Sequence, residues 1–162
     1  MKKRRAKTGS TGTRRRSPSA SRASSPFVAT PSSPSGTLSP DWIEFLSLLI
    51  SKNVKFLIVG AHALAAHGRP RYTQDLDVFI EPSKKNAALV GKVFTEFGFP
   101  ALAEASVAFA SGAYMTRLGN PPLRIDVMNH IDGVTFAEAW RSRVSDTISG
   151  LPLSFIGEAA FR

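Results

Sequence analysis

The segment Asp75-Leu76-Asp77-Val78-Phe79-Ile80 limits the fold of this chain more than any other. Side chains of a β-strand alternate faces, so Leu76, Val78 and Ile80 point into a core while Asp75 and Asp77 share the opposite face. Two like charges on one strand face repel each other. They persist at little cost only when solvated or when a cation sits between them, and oxygen-only ligands suit Mg2+ or Mn2+. Asp126, in Leu123-Arg124-Ile125-Asp126-Val127-Met128, is a third acid embedded in an apolar strand. If that strand lies beside the first, three carboxylates can hold two metal ions, one activating an attacking hydroxyl and the other neutralising a triphosphate and its leaving group. Asp-x-Asp by itself is better explained by a solvated strand end; the third acid in the same context shifts the weight toward a site.

Upstream, the β-rich run 54–59 breaks at Gly60-Ala61 and passes into a short Ala-rich helix, 61–67, that ends at Gly68. Glycine at such a junction lets backbone approach a ligand, and a helix N-terminus offers free N–H groups and the positive end of a dipole to phosphate. Many α/β folds carry a strand-Gly-helix turn for packing alone. Here it stands fifteen residues ahead of the acid pair.

The other elements follow from periodicity and stop signals. Ser39-Pro40-Asp41 reads as a helix start, with a hydroxyl cap, proline at the first position and an acid in the first turn. Trp42, Phe45, Leu46, Leu49 and Ile50 then form one apolar face, and Asn53 is a stop. Glu81-Pro82-Ser83 opens a second helix that runs to Phe97, buries Ala87, Leu89, Val90, Val93, Phe94 and Phe97, and closes at Gly98. Residues 105–118 read as one or two weak strands, Asn120-Pro121-Pro122 as a turn, 136–143 as a helix and 151–156 as a last strand. Phe136 and Trp140 read as core.

The net charge of +9 would suggest a nucleic-acid binder if it were spread over the fold, but it is not. Residues 1–40 hold nine Lys and Arg and no acid, whereas 41–162 hold twelve of each sign, so the folding part is formally neutral. A tail over 1–38, rich in Ser, Arg and Pro, cannot bury enough surface to offset its ordering entropy and is expected to be disordered. Three readings of it stay open: polyanion binding or localisation through Lys2-Lys3-Arg4-Arg5 and Arg14-Arg15-Arg16, a transit peptide, and a nonfunctional extension. The folding domain is then 39–162. Without cysteine there are no disulfides, thiolate ligands or cysteine nucleophile. Apolar runs such as 45–50 fall far short of the roughly 20 residues that cross a bilayer, so a cytoplasmic protein without a membrane partner is expected.

Gly60-Ala61, then Asp75-Leu76-Asp77 after a helix, then Asp126, resembles the pattern of the nucleotidyltransferase (DNA polymerase β-like) superfamily. More narrowly, the run from Val59 to Asp77 is similar to a prokaryotic group of minimal nucleotidyltransferases that includes toxin relatives of abortive-infection systems, and the match extends over about 41–156. The resemblance implies an α/β (α+β) fold with a small mixed β-sheet flanked by helices. It further implies a Mg2+- or Mn2+-dependent enzyme that moves a nucleoside monophosphate from an NTP to a hydroxyl or another acceptor on RNA, protein or a small molecule. Carried over residue by residue, it gives Gly60 a triphosphate contact, Asp75 and Asp77 both metals, and Asp126 the catalytic metal and the general-base role. In the family the residue after the glycine is often Gly or Ser; Ala61 here offers only its backbone N–H. Relatives also continue past the last strand into a basic helical segment, so a partner protein supplying that surface, or a truncated chain, is expected.

Arg71, near the nucleotide by this resemblance, can offer charge-assisted hydrogen bonds to phosphate, although Arg69 and Arg71 are equally well solvated loop charges. Thr73 reads as a local turn bond. His62 and His67, five apart, do not stack on one helix face and make a poor metal pair. His130 follows the Asp126 strand, where a lone histidine is usually structural or exposed. The rival reading from another class is a noncatalytic module that binds nucleotide or a partner. A tail-driven nucleic-acid binder would show a steep salt dependence that vanishes without residues 1–40. A glycosyltransferase fits the strand-Gly-helix and the third acid less well.

Overall fold

The computed structural model describes residues 38–60, 75–120 and 123–161. The expected tail therefore lies outside the described residues but for Leu38, as do the 61–67 helix, the 69–73 loop and the two prolines of the 120–122 turn.

Helix α1, Pro40–Ser51, starts where its sequence says it should: the Ser39 hydroxyl accepts from the Trp42 N–H, and Pro40 fills the first position, where no N–H is needed. Its stripe of Trp42, Phe45, Leu46 and Leu49 is buried. After Asn53, at φ 61°, the chain enters β1, Phe56–Val59, buried throughout. Strand β2, Asp75–Ile80, leads to helix α2, Lys84–Phe97, which begins three residues later than the Glu81 start expected from the sequence. The reason is the cap: Ser83 Oγ accepts from Asn86 N–H at 3.1 Å, so Glu81 and Pro82 stay outside the helix. Leu89 and Phe97 are only partly buried, whereas Asn86 is 3% exposed. Its side chain accepts from Lys55 N–H at 2.8 Å and donates to the carbonyls of Lys55 and Glu81, each at 3.0 Å. That one amide ties the start of α2 to the entrance of β1.

Of the one or two weak strands expected over 105–118, one forms, at the end of the segment, whereas its first part is helical. Helix α3, Pro100–Ala105, runs into a 3-10 turn, Ser106–Ala110, and only β3, Met115–Leu118, is extended. Phe109 is fully buried, edge-on to Phe94 and Tyr114, and the buried Asn129 amide donates to the carbonyls of Phe109 and Gly112 while accepting from Tyr114 N–H. Contacts from distant parts of the chain thus fix a segment whose local pattern is ambiguous. Strand β4, Arg124–Met128, precedes helix α4, Phe136–Arg141, opened by a reciprocal capping box between Thr135 and Glu138. A hairpin completes the sheet: β5, Val144–Ile148, a strand the sequence reading did not expect, and β6, Leu151–Phe155. Ser149 and Gly150, at φ 52° and 81°, form its two-residue turn, the primed geometry that suits the twist of paired strands.

The six strands make one mixed sheet in the order β3-β4-β2-β1-β6-β5. β4 with β2 and β1 with β6 are parallel; the other neighbours are antiparallel. Leu118 and Ile125 share a cavity with Asp41, Glu44, Phe97 and Phe99, which puts α1 and the end of α2 on one face. On the other face Phe79 meets Phe136 of α4 edge-on, with centroids 5.1 Å apart. Helices therefore flank both sides, as the α/β (α+β) expectation requires. Trp140 is half-buried rather than core: Lys55 and Arg143 stand over its ring, 4.9 and 3.9 Å from the centroid. Among the described residues no helix is long and apolar enough to cross a membrane.

Candidate carboxylate site

The alternation of β2 is as its sequence dictates. Leu76, Val78 and Ile80 are fully buried, and Asp75 and Asp77 are half-buried on the face that Phe79 also presents. The parallel partner β4 sets Arg124 opposite Asp75 and Asp126 opposite Asp77. Because partners in register share a face, all three acids and Arg124 lie together at the start of two neighbouring strands. On the far side of β2, antiparallel β1 sets Val59 opposite Asp77. Gly60 follows at φ 75°, and a Cβ built there would overlap Asp77 Oδ2. Left-handed backbone and the nearness of the Asp77 carboxylate thus both disfavour a side chain at this position, which would strain the backbone and push the carboxylate aside.

Two arginines complete the cluster. Arg124 Nη2 donates to Asp75 Oδ2 at 2.9 Å, and its Nε stands 3.6 Å from Asp126 Oδ1. Arg117, on edge strand β3 and in register with Asp126, places its Nε 3.2 Å from the same Oδ1. Neither Asp126 Oδ1 nor Arg124 Nε, both buried, has a hydrogen bond. The Asp77 carboxylate makes no hydrogen bond or ion pair among the described residues, and it is pushed up from 3.8 to about 6, first by burial, then by Asp126 and Asp75, against the pull of Arg124 and Arg117. The Arg124 guanidinium is pushed further up, chiefly by its hydrogen bond to Asp75.

Of the residues picked from the sequence, Gly60, Asp75, Asp77 and Asp126 come together; Ala61 and Arg71 lie outside the described residues. His130 lies beyond the end of β4 on an exposed loop, 3.0 Å from Asp132. The sequence reading missed the two arginines. Arg124 was within its reach, since it stands two residues before Asp126 on an expected strand and must share its face. Arg117 was not, because only the β3–β4 register brings it to Asp126.

The donors are all carboxylate oxygens, the set that Mg2+ and Mn2+ prefer, and a buried Asp126 Oδ1 without a hydrogen bond beside a repelled Asp77 fits a cation. As the side chains stand, no three acids or histidines among the described residues converge into a ready-made cation site. Asp75 and Asp126 are instead paired with Arg124 and Arg117, with which a cation must compete.

A six-stranded mixed sheet flanked by helices is an architecture shared with a solved structure described as a nucleotidyltransferase. The particular likeness is to a crystal structure from Thermotoga maritima described as a "putative nucleotidyltransferase", with a TM-score of 0.50 and 12% sequence identity over 76% of this chain and 81% of that one. At that identity the likeness is one of fold. No family model and no curated protein matches the chain.

Proposed function

We propose that the protein is a Mg2+-dependent nucleotidyltransferase that moves a nucleoside monophosphate from an NTP to a hydroxyl or another acceptor on RNA, protein or a small molecule. The observation that carries this reading is the register of β2 and β4, which sets Asp77 beside Asp126 with Gly60 against the Asp77 carboxylate. Asp75, Asp77 and Asp126 would hold the ions. Bound divalent cations supply activation of the acceptor oxygen and neutralise the charge of the triphosphate. Asp126, the most buried of the three, would take the acceptor's proton on a carboxylate oxygen as general base. Gly60, without a side chain, leaves backbone beside Asp77 open to the triphosphate, and Ala61 and Arg71 would extend that contact by an N–H and a guanidinium.

Support for the reading comes from the fold, the all-oxygen donor set and the unsatisfied Asp126 oxygen. A second reading, a noncatalytic module that binds nucleotide or a partner, is favoured by the two arginines, which already neutralise much of the carboxylate charge. One experiment separates them. Each α-labelled NTP is incubated with Mg2+ and a cell extract, and the wild type is compared with an Asp75→Asn, Asp77→Asn double variant. Label transfer or pyrophosphate release that the double variant lacks supports the enzyme; the absence of metal-dependent nucleotide binding in the wild type refutes it. The narrower kinship with toxin relatives predicts growth arrest on expression, relieved by the same double substitution.

A further inference from the structure

Arg117 and Arg124 both face Asp126, but they are held differently. Arg124 is 26% exposed and hydrogen-bonded to Asp75 at 2.9 Å. Arg117 is 54% exposed, sits on the outermost strand of its side of the sheet, and reaches Asp126 Oδ1 at 3.2 Å without a hydrogen bond to that oxygen. Its attraction to Asp126 is therefore a charge contact alone, and its side chain can swing into water at small cost. Asp126 by contrast is buried and cannot follow it.

We infer that Arg117 is a displaceable counter-ion of the carboxylate site, which leaves Asp126 when a divalent cation enters and then binds the phosphates of the incoming substrate. The inference rests on the nucleotidyltransferase reading. In the metal-free protein Arg117 offsets the repulsion between Asp126 and Asp77. Asp126 and Asp77, once they hold a divalent cation, would have that compensation more strongly from it, and the Arg117 guanidinium would be free at the rim of the site. The freed group has donors in a planar fork that matches phosphate oxygens, so one side chain serves the empty and the loaded states in turn. Arg124, held by its hydrogen bond to Asp75 and less exposed, is the less readily displaced of the two.

The test uses the full chain and two probes, Mn2+ alone followed by electron paramagnetic resonance, and inorganic tripolyphosphate at saturating Mn2+ followed by calorimetry. Arg117→Gln is expected to bind Mn2+ about fivefold more tightly than the wild type, the scale of one half-exposed charge contact removed, and tripolyphosphate about tenfold more weakly, the scale of a charge-assisted hydrogen bond lost. Arg117→Lys, which keeps the charge, should fall between the two in both assays. A merely structural arginine would move both affinities in one direction. Unchanged or weaker Mn2+ binding in Arg117→Gln, or unchanged tripolyphosphate binding, overturns the inference. If Mn2+ binds the wild type and is lost in Asp77→Asn while Arg117→Gln behaves as wild type, only the role of Arg117 falls. If the wild type and Arg117→Gln both fail to bind Mn2+, the nucleotidyltransferase reading falls with it.

Discussion

Asp77→Asn should stabilise the metal-free protein at neutral pH, although it removes a charged group from the centre of the site. The Asp77 carboxyl lies at about 6 rather than 3.8 in the folded chain, so folding disfavours its ionised form. Taken at face value, that displacement corresponds to about 3 kcal/mol. Asp77 is only half-buried, and solvent screening reduces the figure to about 1–2 kcal/mol. The sign follows from linkage. Above pH 6 the group is ionised in both states and the folded state carries the full penalty; as pH falls from 6 toward 3.8 the folded state takes up a proton first and the penalty shrinks, vanishing below 3.8. Asparagine has the same shape without the charge, and no described partner loses a hydrogen bond to it. Urea unfolding in chelator at pH 7.5 and at pH 4.0 measures the difference. The variant should gain about 1–2 kcal/mol at pH 7.5 and only about 0.5 kcal/mol at pH 4.0. A loss of stability at pH 7.5, or a gain of equal size at both values, would refute the argument that burial and the two neighbouring acids leave Asp77 in need of a cation.

Mg2+ should raise the thermal midpoint of the wild type more at pH 7.5 than at pH 5.5, where Asp77 is largely protonated, and should do so little in Asp77→Asn; differential scanning fluorimetry would show it. Gly60→Ala should cost about 1–2 kcal/mol for a side chain at positive φ, plus a further penalty against the Asp77 carboxylate. Urea titration should show that further penalty shrinking in an Asp77→Ala background, and equal costs in the two backgrounds would count against the contact. Asn86→Ala should lose about 2–4 kcal/mol, since it strands the Lys55 N–H and two carbonyls beneath α2; chemical denaturation that finds less than 1 kcal/mol would show water replacing the amide. Ser39→Ala, which removes the cap of α1, should cost about 1 kcal/mol in the same assay.

Where a residue's neighbours in sequence set its environment, the chain is legible. Ser39-Pro40 fixes the start of α1, and the alternation in Asp75–Ile80 fixes which side chains face the core, because capping and strand pleat are local geometry. The grouping of Asp75, Asp77, Asp126 and Gly60 was legible too, but only through a pattern known from other proteins, since spacing alone does not say which strands pair. Elsewhere distant contacts decide. The segment 100–110 turned helical because Phe109 found a buried place against Phe94 and Tyr114 and Asn129 secured its carbonyls. β5 formed because β6 offered it an edge, not because Val144–Ile148 has a core face of its own. Above all, the charge balance of the site belongs to the tertiary structure. The sequence alone determined that three acids stand on strands; the register of β3 on β4 brought Arg117 to Asp126, and that of β4 on β2 set Arg124 against Asp75. Electrostatic interaction depends on distance through space, and strand pairing, which no local rule specifies, is what sets that distance.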